Sequence, residues 1–241
     1  METQTRKLTP ILGFEQTDYA YQGERIVWVG DDVNVRHPRN YWKPWQPPAK
    51  TYSAALLQAG AHLCLQRIEK IDEPKGLLAW LVNRELAFPL HHAKSRFDDV
   101  HSSLREALQA KKIEALQASF VRVLGLGQGL TPSGDDFLGG IFFVLHHIDA
   151  HARKPHPNWL AGLPALQANI QKACLDATNP ISAALLIDNM EGKSYGQLHD
   201  MLDALESNDS RFIDNATQAL LNLGSSSGAD LLAGLLLALT I

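Results

Sequence analysis

Residues 125–140 read Gly-Leu-Gly-Gln-Gly-Leu-Thr-Pro-Ser-Gly-Asp-Asp-Phe-Leu-Gly-Gly. Alternate glycines, the hydroxyls of Thr131 and Ser133 and the adjacent carboxylates Asp135 and Asp136 stand directly before an uncharged run, Phe137 to Leu145. Glycines ahead of a helix start let backbone N–H groups turn into a common space. The helix dipole adds positive potential there, so the pattern suits an anion. A shorter copy, Ser227-Gly228-Ala229-Asp230-Leu231-Leu232-Ala233-Gly234, aligns with Ser133 to Gly140. Two helices thus open with the same chemistry, and their N-termini are expected to converge on one site.

Capping offers a structural account of the same residues. Ser133 with Asp136, and Ser227 with Asp230, have capping-box spacing, in which a serine oxygen accepts from the N3 amide and the carboxylate reaches back. Gly139, Gly140 and Gly234 fall inside helices, where each costs about 1 kcal/mol relative to Ala. Such glycines imply close approach of a second backbone. Capping does not explain Gly125, Gly127 and Gly129. The functional reading therefore takes Asp135 and Asp136 as catalytic candidates. Its substrate-binding candidates are Gly127, Gly129, Thr131, Ser133, Gly134, Ser226, Ser227, Gly228 and Asp230.

Two carboxylates repel an anion unless something intervenes. They point away as caps, a divalent cation such as Mg2+ bridges carboxylate and ligand, or one is a proton acceptor of raised pKa. Asp136 has a counterpart in Asp230 and reads as the structural member. Asp135 has none, since Ala229 fills its place, so it is the carboxylate expected to do ligand, metal or proton work.

Ala177 to Leu186 forms another polar start to an apolar helix, with Asn179 as cap and Pro180 at its first position. It adds Thr178 and Ser182 to the binding candidates. Arg67 and Arg84 are the cationic candidates of the N-terminal half. His147 and His151 share a helix face without the glutamate of a zincin, and His91-His92 follow Pro89. The loop lacks the Gly-Lys-Ser/Thr ending of a Walker loop. No strand precedes it as a dinucleotide fingerprint requires, and Gly-x-Ser-x-Gly is absent.

The elements that must hold these loops divide the chain. Before Arg96, short apolar segments bounded by Gly or Pro read mostly as strands. Arg25 to Val29 is entered through a hairpin at Tyr19–Gly23; Ala61–Ile68 and Leu77–Val82 are segments whose period alone does not separate strand from buried helix and are read toward strand, with a short helix near Ser53–Ala59. Pro38, Pro44, Pro47 and Pro48 mark a loop that carries Trp42 and Trp45. From Arg96 the apolar period becomes helical, with later helices near 135–150, 158–176, 181–190, 195–205, 210–222 and 227–240. Asn158, Ser194 and Ser210 read as N-caps. The expectation is an α+β fold, with a β-rich N-terminal domain over 1–95 and an all-helical domain over 96–241 that carries the glycine-rich loop.

An apolar content of 45% and a charged content of 20% fit a globular protein. The net charge of −4 argues against nucleic-acid and anionic-membrane partners. Cys64 and Cys174 sit among apolar neighbours, with no CxxC, and read as buried thiols. No apolar run reaches the ~20 residues of a membrane span, and the first residues lack the apolar stretch of a leader. A cytoplasmic location is the expectation.

Gly127 to Leu138 resembles the signature of a bacterial family that has carried a "carboxylase" label and includes a subunit of the oxamate carbamoyltransferase of anaerobic allantoin breakdown. Thr178–Ser182 and the Ser227-Gly228-x-Asp230 start are similar to its weaker blocks. The resemblance implies a place in a complex that moves a carbamoyl group between oxalurate and phosphate, giving carbamoyl phosphate and oxamate. It implies a small anionic substrate and other subunits of that complex as partners. It transfers no residue role. The alternative is a non-catalytic subunit or metabolite-sensing module that uses the same loop for a ligand or partner. Biotin-attachment and ATP-grasp patterns are absent, so the carboxylase label has no support in the residues.

Overall fold

The computed structural model describes residues 9–10, 19–22, 25–28, 35–36, 52–87, 90–110, 112–151 and 162–241. Its strands are fragments of two to four residues: β1 (Thr9–Pro10), β2 (Tyr19–Gln22), β3 (Arg25–Trp28), β4 (Val35–Arg36) and β5 (Ser194–Tyr195). The hairpin read at Tyr19 is the antiparallel pairing of β2 with β3, Gln22 opposite Arg25. Trp42, Trp45 and Asn158 lie outside the described residues.

From residue 52 onward the described residues are helical almost throughout, and among the described residues the β-rich N-terminal domain is not found. The segments 61–68 and 77–82, expected as strands, belong to α1 (Ala54–Ile68) and α2 (Gly76–Leu81). The reason is visible in α1. It contains no β-branched residue before Ile68, and its buried positions Leu57, Ala61, Cys64 and Ile68 recur at helical spacing. Gly60 breaks the apolar pattern, but for packing and not for a turn. A Cβ there would lie 2.0 Å from the Leu205 carbonyl oxygen. Ser53 caps α1 by accepting from the Leu56 amide.

The order continues with α3 (Lys94–Ala110), α4 (Gln117–Val121), α5 (Ser133–His151), α6 (Leu163–Ala177), α7 (Pro180–Met190), α8 (Gly196–Ser207), α9 (Ser210–Leu221) and α10 (Ser227–Thr240). Single turns of 3-10 helix, Leu90–Ala93 and Ile113–Leu116, precede α3 and α4. These spans follow the helices read from periodicity after Arg96. The caps differ in two places. Asp209, not Ser210, caps α9, and Ser194 lies in β5 ahead of the Tyr195 that opens α8.

At the centre, α5 crosses α10, and this pair makes the most extensive helix contact of the described residues. Phe137, Leu138, Ile141, Phe142, Leu231, Leu232, Leu235 and Leu236 are fully buried along it. Removing a Leu or Phe side chain from water contributes about 1.5–3 kcal/mol. The crossing is close because glycine faces backbone on both sides. A Cβ on Gly140 would lie 2.0 Å from the Leu231 oxygen, and one on Gly234 would lie 1.9 Å from the Phe137 oxygen. The arrangement is reciprocal, as the repeated sequence is. Around this pair pack α1, α2 and α9 on the α10 side and α7 on the α5 side.

Candidate functional site

The loop ahead of α5 needs its glycines. Gly125, Gly127 and Gly129 have φ of +69°, +122° and +92°, values that side chains rarely adopt. The loop is pinned from three directions. The Gly134 amide donates to the Leu126 oxygen at 2.8 Å, the Asn179 side-chain amide donates to the Leu130 oxygen at 2.9 Å, and the Gly125 amide donates to Asp135 Oδ1 at 2.7 Å. The loop ahead of α10 turns through Gly224, φ +62°, and the Gly228 amide donates to the Leu223 oxygen at 3.1 Å. Thr131 Oγ1 and Ser227 Oγ share a hydrogen bond of 2.8 Å that ties the two loops together. The two helix starts therefore converge.

The capping boxes are not formed. α5 and α10 begin at Ser133 and Ser227 themselves, and Ser226, at the cap position of α10, makes no side-chain cap bond. The Asp136 amide donates back to the Pro132 oxygen and the Asp230 amide to the Ser226 oxygen, which places both carboxylates one turn inside. The serines then cross over. The hydroxyls of Ser227 and Thr131 face Asp136, and those of Ser133 and Ser226 face Asp230, near enough to favour the charged form of each acid. Ser227 thus reaches the acid of α5 and Ser133 the acid of α10, while Thr131 and Ser226 face the acid of their own helix, an exchange that spacing alone does not reveal.

These two acids are buried, Asp136 at 5% and Asp230 at 0% exposure. Asp230 Oδ1 accepts the Leu77 amide at 2.7 Å. Oδ2 of each carboxylate is buried with no hydrogen-bond partner. Burial, followed by the charge of Asp230, raises Asp136 well above the usual carboxylate range. Burial raises Asp230 to about 6, against the lowering effect of the Leu77 amide and the Ser133 and Ser226 hydroxyls.

Asp135 has a different setting. It is also buried, but its oxygens are occupied: Oδ1 by the Gly125 amide, Oδ2 by the Ser182 hydroxyl at 2.7 Å and by the Thr178 hydroxyl. Burial raises its pKa, and these three donors oppose the rise. Thr178 and Ser182 thus meet Asp135 and not the serine-rich loops, and the three tie the start of α7 to the glycine loop.

Above the crossing lies a cavity of about 800 Å3. Its walls include Gly127 to Thr131 and Ser133 from one loop and Gly224 to Ser227 from the other. A third wall, Glu73-Pro74-Lys75-Gly76, closes it, and Glu85, Leu86 and Leu90 complete the rim. Among the binding candidates, Gly127, Gly129, Thr131, Ser133, Ser226 and Ser227 line this space. Asp135, Asp136, Asp230, Gly134, Gly228, Thr178 and Ser182 lie behind the lining. Gly134 and Gly228 instead accommodate backbone, since a Cβ would lie 1.8 Å from the Val123 oxygen and 1.7 Å from the Leu220 oxygen.

Lys75 and Gly76 were not among the residues singled out from the sequence. Gly76, φ +51°, sits so close to Asp230 that a Cβ would lie 2.3 Å from Oδ1. The available signal was Gly76 opening an apolar helix directly after a lysine. The arginine candidates serve elsewhere. Arg67 pairs with Asp214 on another face, and Arg84 donates to the carbonyls of Asp72 and Glu69. His147 packs among Tyr52, Phe143 and His199, and His91 lies tilted against His92; none of these histidines is part of the cavity lining.

The fold and site define a helical domain whose two crossed helix starts wall a polar cavity. Residues 123–239 match the model of the family described as oxamate carbamoyltransferase subunit AllH. Over those residues, which hold both helix starts, the chain is similar to that family. No solved structure matches it.

Proposed function

We propose that this chain is a subunit of a carbamoyltransferase of the oxamate type and that the cavity over the α5–α10 crossing takes its small anionic substrate. The observation that carries the reading is the joint wall. Two glycine- and serine-bearing loops, each opening a helix, face one space together with Lys75. Helix N-termini and hydroxyls suit carboxylate and phosphate oxygens, and Lys75 supplies a point charge. Glu73 and Glu85 also line the cavity, so the anion is placed against the loops, where the hydroxyls and helix N-termini are. Hydrogen-bond donors aimed at developing negative charge are worth about 2.7–4 kcal/mol each in a transition state, which is the form of help an acyl or carbamoyl transfer needs. The family description, a subunit, supports partner chains in the working enzyme.

The acids take altered roles in this reading. Asp136 and Asp230 lie directly behind the cavity-facing serines and are the carboxylates placed to act on the site through them. Asp135 holds the loop's shape. The test follows phosphate release from carbamoyl phosphate and oxamate, with the chain alone and with its partner subunits. Turnover that needs this chain and falls at least about tenfold in Lys75→Ala supports the reading. Full turnover by the partners without this chain removes it. Binding without turnover by the chain alone marks it as the ligand-holding subunit.

A further inference from the structure

We propose that Asp136 and Asp230 together hold one hard divalent cation of the Mg2+ or Mn2+ class behind the cavity floor. Two observations meet here. The carboxylates stand in the first turns of two crossed helices whose opening loops are tied by the Thr131–Ser227 hydrogen bond. Each also keeps one oxygen, Oδ2, buried and without a hydrogen-bond partner. A buried, unpaired carboxylate oxygen is costly, and buried charges are ordinarily paired or bound to a metal. No described basic side chain hydrogen-bonds or forms an ion pair with either acid, whereas Thr131, Ser133, Ser226 and Ser227 add neutral oxygens around them.

That set is all oxygen and contains two carboxylates, which suits Mg2+. This ion keeps several waters and binds through one or two carboxylates plus the oxygens of a phosphate-bearing substrate. Among the described residues no three His, Cys, Asp or Glu side chains gather at one point, so an all-protein cage of the Ca2+ or Zn2+ kind is not the expectation. A cation here also resolves the conflict noted in the sequence. It offsets both acids and presents open positions toward the anion held by the loops. That last contact rests on the proposed anion site; the cation binding itself does not.

The test is Mn2+ binding to the full chain, with no anion present, read from the free-Mn2+ EPR signal and challenged with Mg2+. One Mn2+ per chain is expected, displaced by Mg2+. Affinity should fall by about tenfold or more in Asp136→Asn and in Asp230→Asn and hold in Asp214→Asn, with circular dichroism showing the helices retained. Where an aspartate variant does not fold, Thr131→Val combined with Ser227→Ala replaces it, and the same loss is expected. Wild-type protein that binds no Mn2+, or binding that survives these substitutions, overturns the proposal. Loss of Mn2+ binding with phosphate binding intact would leave the anion site standing. Mn2+ binding without phosphate binding would keep the cation site and remove the substrate reading.

Discussion

Asp135 and Asp136 are chain neighbours with opposite surroundings, and substitution should separate them. Asp135→Asn leaves the Gly125 amide and the Thr178 and Ser182 hydroxyls facing a group that is half donor. A loss of about 1–3 kcal/mol is expected in urea unfolding. Asp136→Asn removes a charge that burial and Asp230 both oppose, so unfolding in metal-free buffer at neutral pH should show no loss of stability. The sequence favoured the reverse assignment because the repeat marks Asp136 as structural. Repetition did identify the residues that meet at the crossing, but it could not say that Ser133 and Ser227 each face the other helix's acid. The thiols make a simpler case. Burial pushes Cys64 up to about 11 and Cys174 up to about 12. The native protein should therefore resist iodoacetamide at pH 8, and both thiols should label once it is unfolded.

Between elements, the glycines of the α5–α10 crossing set how closely the helices approach. Gly140→Ala and Gly234→Ala each drive a Cβ into the partner backbone, at 2.0 and 1.9 Å. Both should destabilise by about 1–3 kcal/mol or more, and by similar amounts because the contacts are reciprocal. Gly129→Ala meets nothing within 4 Å but keeps φ of +92°, so its cost is backbone strain alone, about 1–2 kcal/mol. Thermal melts of the three variants check this. The helices after Arg96 were legible because their apolar faces run for several turns. α1 and α2 were not. α2 has only six residues, and Gly60 in α1 reads as a break when its role is close approach to α8.

For the whole molecule, α1 and α2 bury Leu57, Leu77 and Leu78 completely in the same core as the later helices. Expressing 96–241 alone tests the division near residue 95. Removing α1 and α2 bares the α8 and α10 surfaces they cover, so the fragment is expected to lose cooperative unfolding. The same packing brings Lys75 to the site, a contribution from a distant part of the chain that no local motif announces. Among the described residues no helix is long and apolar enough to cross a membrane. The composition reading against a spanning helix agrees with that.

The two helix starts and the Lys75 segment are proposed to form one anion site. Calorimetric titration of carbamoyl phosphate into the wild-type chain, Lys75→Ala, Ser226→Ala and Ser210→Ala tests it most directly. One site is expected, weakened by about tenfold or more in Lys75→Ala and in Ser226→Ala and unchanged in Ser210→Ala, which lies on α9 outside the cavity lining. An affinity that is indifferent to both Lys75 and Ser226 would contradict the account.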